Sequence, residues 1–251
     1  MLSPVITIVI PAYRAAHKIS PTLEALRTIL DGCQSPYEII VVIDGEVDDT
    51  QKKVDEFGSE RVRIIKNELN MGKGNALRKG ILAADGRDYI GYVDADLDID
   101  PKSLVMALDK LESCKSLGLV AGSKLHPDST VQYPPFRKIQ SKFFANFVSE
   151  MFDLDLKDTQ SGLKLGRSGL MKAAAVETKS NGFIFDLELL AHLQAKQCVF
   201  DSVPIALNYQ FESTISLRSY FTTVGEVLKV YRMTRMKTWK PKGPGGPNAE
   251  L

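Results

Sequence analysis

Tyr89-Ile90-Gly91-Tyr92-Val93-Asp94-Ala95-Asp96-Leu97-Asp98-Ile99-Asp100-Pro101 decides how the chain is read. The first five residues carry no charge, the pattern of a strand covered on both faces, and the run then breaks into alternating carboxylates. Pro101 follows and opens a helical pattern that runs to about Cys114. Working outward, the same grammar recurs. Val5 to Ile10, Glu38 to Ile43, Val62 to Ile65 and Leu117 to Ala121 read as further strands. Helical segments lie between them: one from Ser20 as N-cap and Pro21 as first-turn residue, with Leu23, Leu26 and Leu30 on one stripe; one over Asp48 to Phe57; and one over Lys73 to Ala84. Strand and helix in repeated succession predict an α/β fold, a Rossmann-type, mainly parallel sheet flanked by helices.

After residue 123 the alternation lapses. Phe136 to Phe152, Asp186 to Ala195 and about Ser216 to Met236 read as helices, with an apolar stretch at Val199 to Leu207. We expect one domain over 1–236, with a ligand-binding half (1–123) and a helical extension (124–236), followed by a basic Pro/Gly-rich tail, 237–251, without fixed structure.

A length of 251 residues is ample for such a core, and 44% hydrophobic with 25% charged residues excludes disordered and fibrous classes. The net charge of +1 gives no reason to expect nucleic acid. That total conceals an asymmetry. Residues 227–251 contain six Lys or Arg against Glu250, a local +5, which leaves −4 for the rest. Trp239, Met233 and Met236, set among Arg232, Arg235 and Lys237, read as an interfacial helix end or as an ordinary basic helix. Cys33, Cys114 and Cys198 form no CxxC pair and read as buried structural thiols of a reducing compartment. The Val5 to Ile10 run lacks a preceding basic segment, so it does not read as a signal peptide, and cytoplasmic residence is expected.

An open parallel sheet binds ligands outside the carboxyl ends of its strands, and Asp44 and Asp94 end two of them. Carboxylates at 94, 96, 98 and 100 repel one another unless solvated or neutralised, and hard oxygen donors suit Mg²⁺ or Mn²⁺. A calcium EF-hand wants Gly at Ile99 and Glu at Val105, so that reading fails. A solvated acidic turn is the rival, accepted for Asp100 as the cap of the next helix. His17, His126 and His192 have no HExxH spacing, and Gly166-Arg167-Ser168-Gly169 is a turn in which Ser168 would cap the next helix.

Pro11-Ala12-Tyr13, Asp44-Gly45, Asn70-Met71-Gly72-Lys73-Gly74-Asn75-Ala76 and Asp94-Ala95-Asp96-Leu97 together resemble family 2 glycosyltransferases of the GT-A fold. Asp158-Thr159-Gln160-Ser161-Gly162-Leu163-Lys164-Leu165 and Phe185-Asp186-Leu187-Glu188-Leu189-Leu190 narrow the resemblance to the dolichyl-phosphate mannose synthase and dolichyl-phosphate glucosyltransferase branch, over roughly residues 5 to 220. The resemblance implies metal-dependent transfer of a hexose, with inversion, from GDP-mannose or UDP-glucose to a polyprenyl phosphate. It implies that Asp96 and Asp98 hold Mg²⁺ or Mn²⁺, and that Pro11, Ala12, Tyr13, Asp44, Lys73, Asp94, Ala95 and Asp96 bind the donor. Lys124, Arg137, Gln160, Lys164 and Asp186 fall on the acceptor side with Lys138 and Lys142, while Asp94, Asp96, Arg137 and Asp158 are the catalytic candidates. Arg14-Ala15, Asp98 and Lys124 stand where the family often has Asn-Glu, Gln and Arg.

No general base stands out, which suits a phosphate acceptor that is already anionic and needs cations rather than a base. The basic tail would then meet an anionic membrane where a lipid acceptor resides, making the protein peripherally membrane-associated. The alternatives are a transferase acting on a soluble or other acceptor, and a nucleotide-sugar-binding subunit without transfer activity.

Overall fold

The computed structural model describes residues 5–131, 148, 151–152, 154–182, 184–207, 225, 227–228 and 230–232. Most of the expected 136–152 and 216–236 helices, the tail, and Arg137, Lys138 and Lys142 lie outside them.

β1 (Ile6–Ala12), β2 (Tyr37–Asp44), β3 (Val62–Asn67) and β4 (Tyr89–Val93) alternate with α1 (Ile19–Gly32), α2 (Thr50–Phe57) and α3 (Lys73–Ala83). α4 (Lys102–Ser113), β5 (Leu117–Ser123) and the short β6 (Thr130–Val131) follow. Then come β7 (Leu163–Arg167), α5 (Ser168–Glu177), α6 (Phe185–Ala195), β8 (Val199–Pro204) and β9 (Ala206–Leu207). The main sheet has seven strands in the order β3-β2-β1-β4-β7-β5-β8. β1 pairs in parallel with both β2 and β4, so the strand order reverses at β1/β4, the place where such sheets open a ligand crevice.

Period-two alternation explains the two faces. Ile6, Ile8 and Ile10 pack with Leu23, Leu26 and Leu30 of α1 and Leu104 and Leu108 of α4. On the other face Val9, Ile40 and Val42 pack with Leu77 and Ile81 of α3 and with α5 and α6.

β7 is the departure that matters. It runs antiparallel between β4 and β5, with Val93 opposite Leu163 and Tyr92 opposite Lys164. Its first residue therefore lies beside the last residue of β4, and the turn before it enters the crevice. The second half of the chain is not only a helical extension, since β7 and β8 complete the main sheet and β6 pairs with β9 in a second, two-stranded one.

Two expected caps are corrected. α1 begins at Ile19, so Ser20 is inside it and Pro21 sits in the first turn, where a missing N–H leaves no bond unmade. Ser168 begins α5 and its Oγ donates to Gly86 O at 2.8 Å instead of capping. Asp100 does cap, accepting Lys102 N–H at 2.9 Å. All three cysteines are free, but only Cys198 is buried, the other two being half-buried.

Candidate active site

Among the described residues, clefts open at the carboxyl ends of β1, β2 and β4, and two of them share a wall. The larger, of about 440 Å³, is walled by the β1–α1 turn, Asp44 and the start of α3. The smaller, of about 160 Å³, is walled by Lys124, Gln160, Ser161, Gly162 and Ile205. Asp94 and Asp96 line both, so these carboxylates stand where the clefts meet.

In the larger cleft Asp44 is buried and fixed by three donors. Its Oδ1 accepts from Asn67 Nδ2 and Met71 N–H, both at 2.8 Å, and its Oδ2 from Gly72 N–H at 2.7 Å. Pro11, Ala12 and Tyr13 continue β1 into the cleft wall. The turn after them is held by Thr50 Oγ1, which accepts Ala15 N–H at 3.0 Å, and by Asp48, which accepts Ala16 N–H at 3.1 Å. Lys73, the first residue of α3, pairs with Asp94 Oδ1 at 2.5 Å. Burial works against its charge, but Asp94, then Asp186 and Asp96, outweigh burial and raise its pKa.

The glycines around Lys73 serve close packing. A Cβ on Gly72 would sit 2.4 Å from Asn181 O, and one on Gly74 would sit 2.8 Å from both Gly182 O and Ser180 O. Asn181 O accepts Gly74 N–H at 2.7 Å and Asn75 N–H at 3.2 Å. The 179–182 segment therefore occupies the helix N-terminus and holds Lys73 in place. Glu188, a candidate acidic side chain of α6, is buried and caps that segment by accepting Lys179 N–H at 3.0 Å and Ser180 N–H at 2.8 Å. Burial opposes its ionisation, yet His192 and these donors hold its pKa near the low end, at about 2.

The acidic turn has an unusual backbone. Leu97 is left-handed at φ 56°, which turns the chain so that Asp98 N–H reaches Asp96 Oδ1 at 3.3 Å. Thr22 Oγ1 donates to Ala95 O at 2.9 Å, tying α1 to this turn. Burial, followed by the charges of Asp96 and Asp94, raises the Asp98 pKa to about 6 despite Lys18. Among the described residues no group of three or more His, Cys, Asp or Glu is preassembled around one point. Two hard oxygen donors beside an open cleft fit Mg²⁺ or Mn²⁺, which take remaining ligands from water and phosphate.

Beside the smaller cleft, Asp158 is buried and accepts Lys124 N–H at 2.7 Å, with Lys124 Nζ at 3.9 Å from its Oδ1. Asp158 thus fixes the end of β5, while Gln160 is exposed on the smaller cleft. Gly162 gives room to Asp94, since a Cβ there would lie 2.1 Å from Asp94 Oδ2. Lys164 and Asp186 are corrected. Both are buried, and Lys164 Nζ donates to Asp186 Oδ1 at 2.5 Å and to Ser161 O at 2.8 Å. Tyr92 OH donates to the same Asp186 oxygen at 2.5 Å. Neither residue lines the smaller cleft. Burial would raise the Asp186 pKa, but Lys164 and then Lys73 hold it below the usual carboxylate value.

The profile of the Glycosyl transferase family 2 matches residues 7–175, from β1 into α5. The chain belongs to glycosyl transferase family 2. This glycosyltransferase is 27% identical to a dolichyl-phosphate beta-glucosyltransferase of Trichomonas vaginalis over 94% of this chain and 73% of that one. It is 30% identical to the dolichyl-phosphate beta-glucosyltransferase of Mus musculus over 80% of this chain and 65% of that one. Its fold matches glucosyl-3-phosphoglycerate synthase from Mycobacterium tuberculosis at a TM-score of 0.68 and 17% identity, over 92% of this chain and 78% of that one. That enzyme was crystallised with Mn²⁺ and UDP, and separately with Mg²⁺ and UDP. Among the described residues of the family 2 chain no helix is long and apolar enough to cross a membrane.

In this glycosyltransferase the fold brings together Pro11, Ala12, Tyr13, Asp44, Lys73, Asp94, Ala95 and Asp96 around one cleft, and Asp98, Lys124 and Gln160 around the next. Asn67, Thr22 and Gly162 have parts in the site that the motifs do not announce. Asn67 had a signal in the sequence, because it ends an apolar strand as Asp44 does; Thr22 and Gly162 act through contacts that only the fold creates.

Proposed function

We propose that the protein transfers glucose from UDP-glucose to dolichyl phosphate. The observation that carries the reading is the pair of clefts meeting at Asp94 and Asp96, one for each substrate. The relatives' names supply the acceptor and sugar, and the neighbouring enzyme was crystallised with UDP-glucose and Mn²⁺. Asp44 favours uridine. A carboxylate has about four lone-pair sites, and three are taken, leaving one for the single N–H of uracil rather than two for guanine's N1–H and amino group.

Asp96 and Asp98 would hold Mg²⁺ or Mn²⁺, which when bound supplies charge stabilisation to the departing diphosphate. Lys73 and Asp94 orient the donor at the junction. An oxygen of the acceptor phosphate forms the bond to the anomeric carbon as the bond from that carbon to the β-phosphate oxygen breaks, and UDP leaves with the electron pair. Attack opposite the leaving group inverts the centre. The attacking oxygen is already anionic, so no proton has to be removed. Lys124 and Gln160, which line the smaller cleft, would meet the incoming phosphate, and Arg137, outside the described residues, is assigned to the same phosphate on the resemblance alone.

Melting curves with UDP-glucose or GDP-mannose and Mn²⁺ test the donor. At a hundredfold excess over Kd, binding to the folded state adds about 2.7 kcal/mol, a rise of roughly 5 °C or more for a chain of this size. The expected result is that rise with UDP-glucose and almost none with GDP-mannose; equal shifts, or none, remove the donor assignment.

The basic end is assigned to the membrane surface that holds the acceptor. Removing residues 237–251 deletes Lys237, Lys240 and Lys242, each worth ~1 kcal/mol near an anionic leaflet. Binding to anionic vesicles at low salt is expected to weaken about tenfold or more, with donor binding spared. Unchanged vesicle binding refutes the role.

A further inference from the structure

A nucleoside diphosphate sugar carries two negative charges into a cleft whose floor already holds Asp94 and Asp96, with Asp98 on the same turn. Lys73 is committed to Asp94 at 2.5 Å. A divalent cation on Asp96 and Asp98 offsets those two carboxylates, so the charge of the diphosphate itself still has to be met. The β1–α1 turn offers three further basic side chains to the cleft: Arg14, His17 and Lys18. Arg14 lies over the Tyr13 ring at 5.4 Å, and the charge of His17 acts on Asp48, which holds the turn. Lys18 is exposed, and its ammonium makes no ion pair among the described residues. Its charge acts on Asp98 of the acidic turn, and it lines the same cleft as Lys73. It immediately precedes α1, a helix with no acidic residue in its first turn and no side-chain cap, so no carboxylate of that turn competes for its charge.

We propose that Lys18 binds the diphosphate of the donor, supplying the positive charge that Lys73, paired with Asp94, does not. This rests on the reading of the larger cleft as the nucleotide-sugar site. Lys18 then recognises phosphate and not the base, which lies against Asp44 and Tyr13. An ammonium is sufficient there, because the diphosphate presents several oxygens to a point charge on a flexible stem.

Calorimetric titration of the whole chain with UDP and with uridine, each with Mn²⁺ present, separates the possibilities. For Lys18→Met the expected result is an affinity for UDP about tenfold weaker, with uridine affinity and melting temperature unchanged. Lys18→Arg is expected to bind UDP within about twofold of the wild type, since the charge is kept. UDP affinity unaffected by Lys18→Met overturns the proposal, as does equal weakening of UDP and uridine, which would make Lys18 a structural residue of the turn. If wild-type protein binds uridine and UDP equally, the cleft holds no diphosphate and this inference fails while the base site stands. If it binds neither, the donor reading itself fails and takes the inference with it.

Discussion

Replacing Gly162 by alanine is expected to cut the transfer rate by about a hundredfold while leaving nucleotide affinity within a few fold of the wild type. The added Cβ would lie 2.1 Å from Asp94 Oδ2, far inside any carbon–oxygen contact, and the obstacle is a carboxylate that is itself held by Lys73 at 2.5 Å. Either Asp94 swings away and gives up Lys73, or the start of β7 moves off β4. Overpacking of this kind costs about 1–3 kcal/mol of stability. The larger effect is on chemistry, because a displacement of about 1 Å at a group that orients the reacting atoms is worth about 10² in rate. Asp44, Tyr13 and Lys18 line the larger cleft and Gly162 the smaller, so affinity for UDP should survive. The measurement is kcat from single-turnover transfer, set beside Kd for UDP and a melting curve. A Gly162→Ala enzyme with kcat within about threefold of the wild type would show that Asp94 does not have to stand where Gly162 puts it.

The same contact explains how far the sequence could be read. Period-two and period-3.6 patterns locate β1 to β5 and the helices between them, because each is long and buries one face or both. The site residues that follow from those strands, Asp44 and Asp94, are legible for the same reason: each is a charge placed where an apolar run stops. β7 is not legible as a strand. Leu163-Lys164-Leu165 alternates like a half-exposed edge, and only the fold reveals that all three residues are buried. Nothing local distinguishes a lysine aimed at a phosphate from one buried under a helix against a carboxylate. The signal was non-local: Asp186 stands in a stretch of α6 where Phe185, Leu187, Leu189 and Leu190 are all buried, an environment that tolerates an acid only with a partner. Likewise the Gly72-Lys73-Gly74 motif looks like an anion cradle, yet the space above its glycines is filled by the 179–182 backbone.

Lys164 therefore supports the second strong prediction, one of stability. Its ammonium is wholly buried between Asp186 Oδ1, Ser161 O and the face of Tyr92, 5.3 Å away. Lys164→Met keeps the shape and removes the charge, leaving Asp186 with the Tyr92 hydroxyl as its one remaining short side-chain contact among the described residues. Breaking a buried pair from one side costs about 3–5 kcal/mol, against a total of about 5–15 for a typical fold. The melting temperature should fall by roughly 10 °C. Adding Asp186→Asn to Lys164→Met removes the stranded charge while retaining a polar group for Tyr92 OH, and should recover part of the loss, so that the two substitutions are far from additive. Since Asp186 also acts electrostatically on Lys73, and Lys164 holds the carbonyl next to Gly162, the single variant should lose activity below its melting transition as well. A Lys164→Met protein that melts within 2 °C of the wild type, measured in the same buffer, would mean that Asp186 is not ionised in the core, and the pair would then have to be redrawn as a neutral hydrogen bond between a protonated carboxyl and an amine.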